Sequence, residues 1–304
     1  MSYSNNIRIA ADEVAANFRK SILLLFLLCL LFFGLACLLG YLVNDMDFGI
    51  KTGFLVCLIV VPLELMSAKF CITSNTNCSE LDLNDPKQKE LLNIVQGISI
   101  AAGLSRVPDV YIIENPIPNA FAAGWNEDSA YIGVTTGLLE LLDRQELEGV
   151  IGHEVSHIMN RDIQLTQTAL ALNTAIVILA TIIKFISIIT AFFSRGDFQK
   201  LIVSLLMFIF IKPLAVLVSF IIVMCISRTR EYAADAQAVR LCSYKDGLIT
   251  ALKKLSQQKK YTADDIESLG GQSYEYLYFT FFDDCLFSTH PDIKKRIERL
   301  EETY

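Results

Sequence analysis

Charge is scarce in this 304-residue chain: Asp, Glu, Lys and Arg make up 19% of it, against about 25% in an ordinary soluble domain. The 53% of hydrophobic residues is not spread evenly but collected in long runs, which excludes a simple water-soluble fold and points to a membrane. Basic residues are outnumbered, 26 to 33, for a net charge of −7. With no basic stretch to follow a phosphate backbone, a nucleic-acid partner is excluded. No pair among the eight cysteines has C-x-x-C spacing, so neither a cysteine zinc site nor a disulfide framework is expected, and a reducing compartment fits. Cys29, Cys37, Cys57 and Cys225 lie inside apolar runs, where a thiol is a small hydrophobe. Cys71 and Cys78 are the one pair for which a disulfide stays open. Internal repeats and low-complexity stretches are absent, and there are only three histidines.

The first apolar run, Ile22 to Val43, carries no charge and is long enough to cross a hydrocarbon core of ~30 Å. It exceeds a secretory core segment, and Asn44 to Asp47 offers no small-residue cleavage site, so it is expected to remain as an anchor. A second run, Phe48 to Met66, has Lys51 and Glu64 near its ends and Pro62 inside. It reads as the return arm of a hairpin, with a buried or interfacial helix as the alternative. A third run, Ala169 to Phe193, and a fourth, Leu201 to Ile226, form a second hairpin containing Lys184 and Lys212. A charge at the bilayer centre costs ~2.5–3.5 kcal/mol on insertion scales. Lys184 can snorkel, whereas Lys212 calls for a partner, a cavity or water, which leaves this hairpin's depth open. Arg8, Arg19 and Lys20 precede the first span, Arg228 and Arg230 follow the last, and the first loop holds only Asp45 and Asp47. Both termini, and the segment between the hairpins, are thus expected on the cytoplasmic side. The division is 1–66 for the tail and first hairpin, 67–168 for a first soluble part, 169–226 for the second hairpin and 227–304 for a second soluble part. The two soluble parts together make one domain of usual size.

The chemistry concentrates in His153-Glu154-Val155-Ser156-His157. The flanking residues predict a helix beginning after Asp143 as N-cap. Positions i and i+4 put both imidazoles on one face, where they can chelate one zinc ion at ~2.0–2.1 Å each. Glu154 lies about 100° round the helix, too far to share the metal but well placed for the attacking water, which makes it the candidate general base. A catalytic zinc needs a third protein ligand and an open position. Glu231 is the best candidate, and Asp235, four residues on, suits an outer-shell carboxylate that orients a histidine. On its own Glu-x-x-x-Asp also describes a solvated helix face. Its weight comes from topology, since His157 precedes the third run and Glu231 follows the fourth, and two crossings return the chain to the same side. For His290, ahead of Pro291, a metal ligand, a donor to the reaction's oxyanion and a plain helix-start residue all stand open.

Together these strings resemble the HtpX-type membrane metalloproteases of the gluzincin superfamily, relatives of the CAAX prenyl proteases. They are His153-Glu154-x-x-His157, then Ser227-Arg228-x-x-Glu231-Tyr232-x-Ala234-Asp235, then Ser288-Thr289-His290-Pro291 and a helix with Arg296. Pro118-Asn119-Ala120-Phe121-Ala122-Ala123-Gly124 is similar to the family's Asn-Ala-Phe-Ala strand. The likeness covers nearly the whole chain. It implies a mainly α membrane protein, with four transmembrane helices in two hairpins and a zincin-like α+β domain containing a small sheet. It implies one Zn2+ per chain on His153, His157 and Glu231, with Glu154 as catalytic base. His290 would have an auxiliary catalytic role, and Asp235 and Arg296 supporting ones. It further implies a bacterial inner membrane, a cytoplasmic catalytic domain, unfolded or misfolded polypeptide substrates, and a part in protein quality control under stress.

Asp109 to Ile113, Asn119 to Ala122 and Ala130 to Thr135 are rich in strand formers, with a turn at Gly124 to Asp128. The outer strand of such a sheet, Asn119 to Ala122, offers unpaired main-chain groups to an extended peptide. An ordinary hairpin is the alternative, and the family likeness favours substrate binding. Two competing functions are processing of a C-terminally lipidated substrate, for which four spans look too few, and a membrane scaffold with structural zinc, which would not need Glu154. The even number of crossings is directly testable. In a cysteine-free chain, single cysteines beside His157 and Glu231 should react with an impermeant reagent from one and the same side. Reaction from opposite sides would end the zinc-site reading.

Overall fold

The computed structural model describes most of residues 18–59, residues 78–166 and 168, scattered single positions between 181 and 209, and residues 228–258 and 292–303. The chain divides into two compact units, one of residues 19–68 and 167–225, the other of residues 1–18, 69–166 and 226–304.

In the first unit the helix Phe18–Leu38 has 21 residues with a mean hydropathy of 2.9, long and apolar enough to cross a membrane. It begins before the expected Ile22. The chain turns at Asn44 (φ 58°), and Asp45 Oδ1 then accepts from the Phe48 N–H at 2.9 Å to start a second helix, described from 46 to 59. Small residues set the approach of the two. A Cβ on Gly49 would lie 2.7 Å from the Ala36 carbonyl oxygen and 2.9 Å from Gly40 Cα. Such close backbones suit helix packing in lipid, where dispersion replaces the hydrophobic drive. Phe26, Phe54 and Leu58 remain exposed, the surface expected of residues facing acyl chains. The second expected hairpin, 169–226, falls almost wholly outside the described residues, as do Cys71 and His290.

The second unit opens with strand β1 (Cys78–Glu80) and helix α1 (Pro86–Ala102). Asp85 caps α1 through the Lys87 N–H, Pro86 takes the first position where no N–H is needed, and Gly103 (φ 69°) closes it in the left-handed region. Strands β2 (Asp109–Ile113), β3 (Ala120–Ala123) and β4 (Tyr131–Thr135) follow, then α2 (Thr136–Leu141), α3 (Arg144–Met159), α4 (Arg228–Cys242), α5 (Asp246–Ser256) and α6 (Ile293–Thr303). The sheet runs β1-β2-β4-β3, with only β2 and β4 parallel. β3 is an edge strand, as β1 is at the other side, and it starts one residue later than expected because Asn119 belongs to the connection. The β1 segment gave no strand signal in the sequence, since three residues cannot display an alternation.

Helix α3 is the centre of this unit. Asp143 and Glu146 form the reciprocal capping box at its start, Glu146 N–H to Asp143 Oδ1 at 3.1 Å and Asp143 N–H to Glu146 Oε2 at 2.8 Å. Val150, Ile151, Val155 and Ile158 of α3 join Leu91, Val95 and Ile98 of α1, Ile112, Ile132 and Val134 of the sheet, and Leu248 and Leu252 of α5 in one core. Glycines let neighbouring helices in. A Cβ on Gly149 would fall 2.6 Å from the Leu248 backbone nitrogen, and one on Gly152 3.0 Å from Cys242 Sγ.

Gly149→Ala gains about 1 kcal/mol of helix propensity but forces α3 and α5 apart. We expect a net loss of about 1–3 kcal/mol, the usual cost of overpacking, read as a lower melting temperature of the detergent-solubilised full chain. Gly97→Ala, whose Cβ would meet nothing within 4 Å, should leave the melting temperature unchanged or raise it. Equal behaviour of the two variants would show that the α3–α5 contact is not tight.

Candidate metal centre

His153 and His157 sit one turn apart on α3, their rings 4.7 Å apart and nearly perpendicular. Their Nε2 atoms approach to 3.1 Å. Glu231, from the first turn of α4, brings its carboxylate oxygens to 3.5 Å from His153 Nε2 and 3.6 Å from His157 Nε2. One ligand atom from each of the three lies within 4.8 Å of the others, and the group is buried apart from a partial opening at His157.

The far sides of both rings are held. His153 Nδ1 lies 2.9 Å from Asp235 Oδ1, and His157 Nδ1 lies 2.9 Å from Asp162 Oδ2. A carboxylate at Nδ1 keeps the proton there, so the lone pair of each ring is on Nε2 and points inward. Two such lone pairs and a carboxylate oxygen repel one another unless a cation sits among them. Ligands at ~2.0–2.1 Å from a tetrahedral ion lie about 3.3–3.4 Å from each other; the two Nε2 atoms are 3.1 Å apart, and each has a different oxygen of Glu231 at 3.5 or 3.6 Å, close to that spacing. The donor set therefore fits one four-coordinate cation with a fourth position left over. The electrostatics agree. Burial and the Arg296 charge press the His153 pKa down, but Asp235 and Glu231 outweigh them and raise it to about 9. Surroundings that favour a proton there favour a cation.

Asp235 is itself clamped. Arg296 of α6, fully buried, donates from Nε to Oδ2 at 2.9 Å and from Nη2 to Oδ1 at 2.6 Å. Burial opposes the charge on Asp235, yet Arg296 and His153 hold its pKa down to about 2. Behind the other histidine, Arg230 Nη1 lies 3.4 Å from Asp162 Oδ1. Neither Asp162 nor Arg230 was expected from the sequence as part of the site. Asp162 follows His157 by five residues, off the helix face, and reaches it only because α3 ends at Met159 and Arg161 adopts a left-handed φ of 55°.

Glu154, 4% exposed, turns toward the sheet, where its Oε2 accepts from the Ala122 N–H at 2.8 Å. Burial raises its pKa, with Glu231 adding to the effect, while the two histidines and the Ala122 N–H act in the opposite direction. The net result is a stronger base than an exposed glutamate. Parity explains why Ala122 is available. Thr135 N–H bonds the Asn119 carbonyl at 2.9 Å, so residues 119, 121 and 123 exchange hydrogen bonds with β4 while the main-chain groups of Ala120 and Ala122 face outward. Phe121 packs edge-on against Tyr131 and Asn119 is buried against Thr135. Of the sequence-predicted residues, His153, His157, Glu231, Glu154, Asp235, Arg296 and Ala122 converge here.

Residues 85–304 match peptidase family M48. The chain is 36% identical to a protease HtpX homolog of Dictyoglomus thermophilum, over 95% of this chain and 93% of that one. It is 35% identical to a protease HtpX homolog of Levilactobacillus brevis, over 96% and 99%. The crystal structure of S. mikatae Ste24p aligns with 95% of this chain and 66% of that one at 19% identity and a TM-score of 0.48, a likeness too loose to bear on the fold. Family and near full-length relatives agree with a histidine–histidine–glutamate group that lies beside a buried carboxylate, and on that ground the chain belongs to peptidase family M48, among the HtpX-type membrane metalloproteases.

Proposed function

We propose that this chain is a zinc endopeptidase of a bacterial inner membrane that cuts misfolded or unfolded polypeptides at the cytoplasmic face, in protein quality control. His153, His157 and Glu231 are the proposed ligands, and zinc is the metal that this donor set suits best. The observation that carries the reading is the convergence of two inward-facing Nε2 atoms and one carboxylate beside a buried Glu154. Two hairpins, Ile22 to Val43 with Phe48 to Met66 and Ala169 to Phe193 with Leu201 to Ile226, would supply four spans and join the catalytic segments 67–168 and 227–304. Bacterial relatives that align along nearly their full length support the bacterial setting.

What zinc supplies when bound is Lewis-acid polarisation of the scissile carbonyl and of the attacking water. An extended substrate lies along the outer edge of the Asn119 to Ala122 segment, held by main-chain hydrogen bonds that ask little of its sequence. Glu154, one oxygen steadied by Ala122, takes the water's proton and delivers it to the leaving amine. Asp235 keeps His153 in its ligating tautomer, and Arg296 keeps Asp235 charged. The auxiliary catalytic role of His290 rests on the Ser288-Thr289-His290-Pro291 resemblance.

Glu154→Gln should keep its zinc and lose at least ~100-fold in cleavage of a denatured membrane protein, the lower range for a general base. Undiminished cleavage by that variant would refute the assignment of Glu154. His153→Ala should lose zinc on metal analysis, and full stoichiometry there would remove His153 from the ligand set. Chelation should abolish wild-type activity, with recovery on adding Zn2+. Recovery with another divalent ion but not with Zn2+ would change the metal.

A further inference from the structure

We propose that Asp162, backed by Arg230, is the positioning residue for His157, as Asp235 backed by Arg296 is for His153. The inference rests on the reading of His157 as a metal ligand. The two arrangements match in chemistry but not in sequence. Each imidazole meets a carboxylate oxygen at 2.9 Å through Nδ1, and each carboxylate meets an arginine, bidentate at Asp235 and at 3.4 Å at Asp162. At Asp162 the two oxygens are divided, Oδ2 to His157 and Oδ1 to Arg230, so the plane of the carboxylate is held from two directions. Both side chains are largely buried, 5% and 13% exposed, where an unpaired charge would be costly. Arg230 directly precedes Glu231, so α4 delivers a metal-facing carboxylate and, one residue earlier, the cation that steadies the support of the opposite histidine.

The physical consequence is control of the tautomer. With Asp162 accepting from Nδ1–H, the Nε2 lone pair of His157 faces His153 and Glu231. Without it, neutral His157 can place its proton on Nε2, and that form cannot ligate. Asn160 reinforces the geometry. Its side-chain amide donates to Gln237 Oε1 of α4 at 2.8 Å and ties the end of α3 to α4 just before the chain bends toward Asp162.

The test uses the full chain in detergent micelles. Zn2+ affinity is measured by competition with a chromophoric chelator, and ligand geometry by the visible absorption of the Co2+-loaded protein. Asp162→Ala should weaken Zn2+ binding by about 10- to 100-fold, the usual range for an outer-shell partner, and change the Co2+ spectrum. Asp162→Asn, isosteric and still able to accept, should lose less. The deciding comparison is a double-mutant cycle with His157→Ala: once His157 is gone, changing Asp162 should cost no further affinity. Wild-type affinity and spectrum in Asp162→Ala, or fully additive losses in the cycle, would overturn the proposal. If Asp162→Ala does not fold, the same cycle with Asp162→Asn decides by the same criteria. Wild-type affinity in His157→Ala itself would instead overturn the underlying ligand assignment.

Discussion

Two imidazole lone pairs and a carboxylate are held in one buried spot, 3.1 to 3.6 Å apart, and this mutual repulsion is the constraint that the surrounding structure serves. Left alone, the side chains would rotate apart or take up protons in the wrong places. Each imidazole is restrained from behind by a carboxylate. Asp235 and Asp162 draw the imidazole protons outward, Arg296 holds Asp235 ionised and in place, and Arg230 meets Asp162 from behind. The alternation of arginine, carboxylate and imidazole from the outside inward spreads the cost of a buried charge over several hydrogen bonds. A cation at the centre completes the alternation, which is why this set of residues reads as a metal site and not as a buried salt bridge.

The constraint also accounts for the architecture around it. The two segments that form the candidate metal centre, α3 and α4, are separated in the chain by the third and fourth apolar runs, yet they meet to within hydrogen-bond distance. Gly152 makes room for Ala238 and Cys242 of α4, and Gly149 for α5, so the helix that carries the motif is approached more closely than side chains elsewhere would permit. Helix α6, far along the chain, contributes Arg296 to the same cluster and stacks Arg299 over Tyr232 of α4 at 4.7 Å. The buried ion pair is therefore also the lock that fixes the C-terminal helix to the site.

Much of this could be read before any coordinates. His153, Glu154 and His157 share a helix whose periodicity and capping box are local, so one stretch of sequence contains the geometry. Glu231 and Asp235 repeat the same four-residue logic on a second helix. What was not legible depends on where the chain leaves regular structure or on contacts between distant segments. Asp162 lies five residues past His157, a spacing that no helix brings together, and only the left-handed turn at Arg161 folds it back. Arg230 reads in sequence as one more charge of the positive-inside pattern and in the structure as a buried partner. The contacts of Gly149 and Gly152 require knowing which helix lies opposite, and β1 is too short to show alternation.

The contact between Glu154 and the sheet links strand register to chemistry. In an antiparallel pair, a slip of one residue turns every outward group inward. If β3 moved by one position against β4, the Ala122 N–H would enter the ladder, and the buried carboxylate of Glu154 would lose its main-chain donor while Phe121 was driven out of its packing against Tyr131. The register is therefore held at two ends, by the aromatic contact on one face and by the Thr135 hydroxyl, which accepts from the Asn119 N–H at 2.7 Å, at the start of the strand. A strand whose even-numbered residues turn their main chain outward and whose odd-numbered residues pair with β4 can steady the proposed general base, Glu154, and keep an edge open at the same time. Those two tasks compete for the same few groups: with the Ala122 N–H committed to Glu154, the proposed substrate contact would fall to the outward groups of Ala120 and the carbonyl of Ala122. Were this edge the substrate site, a pairing surface this short and made of main chain would favour extended polypeptide over any particular sequence.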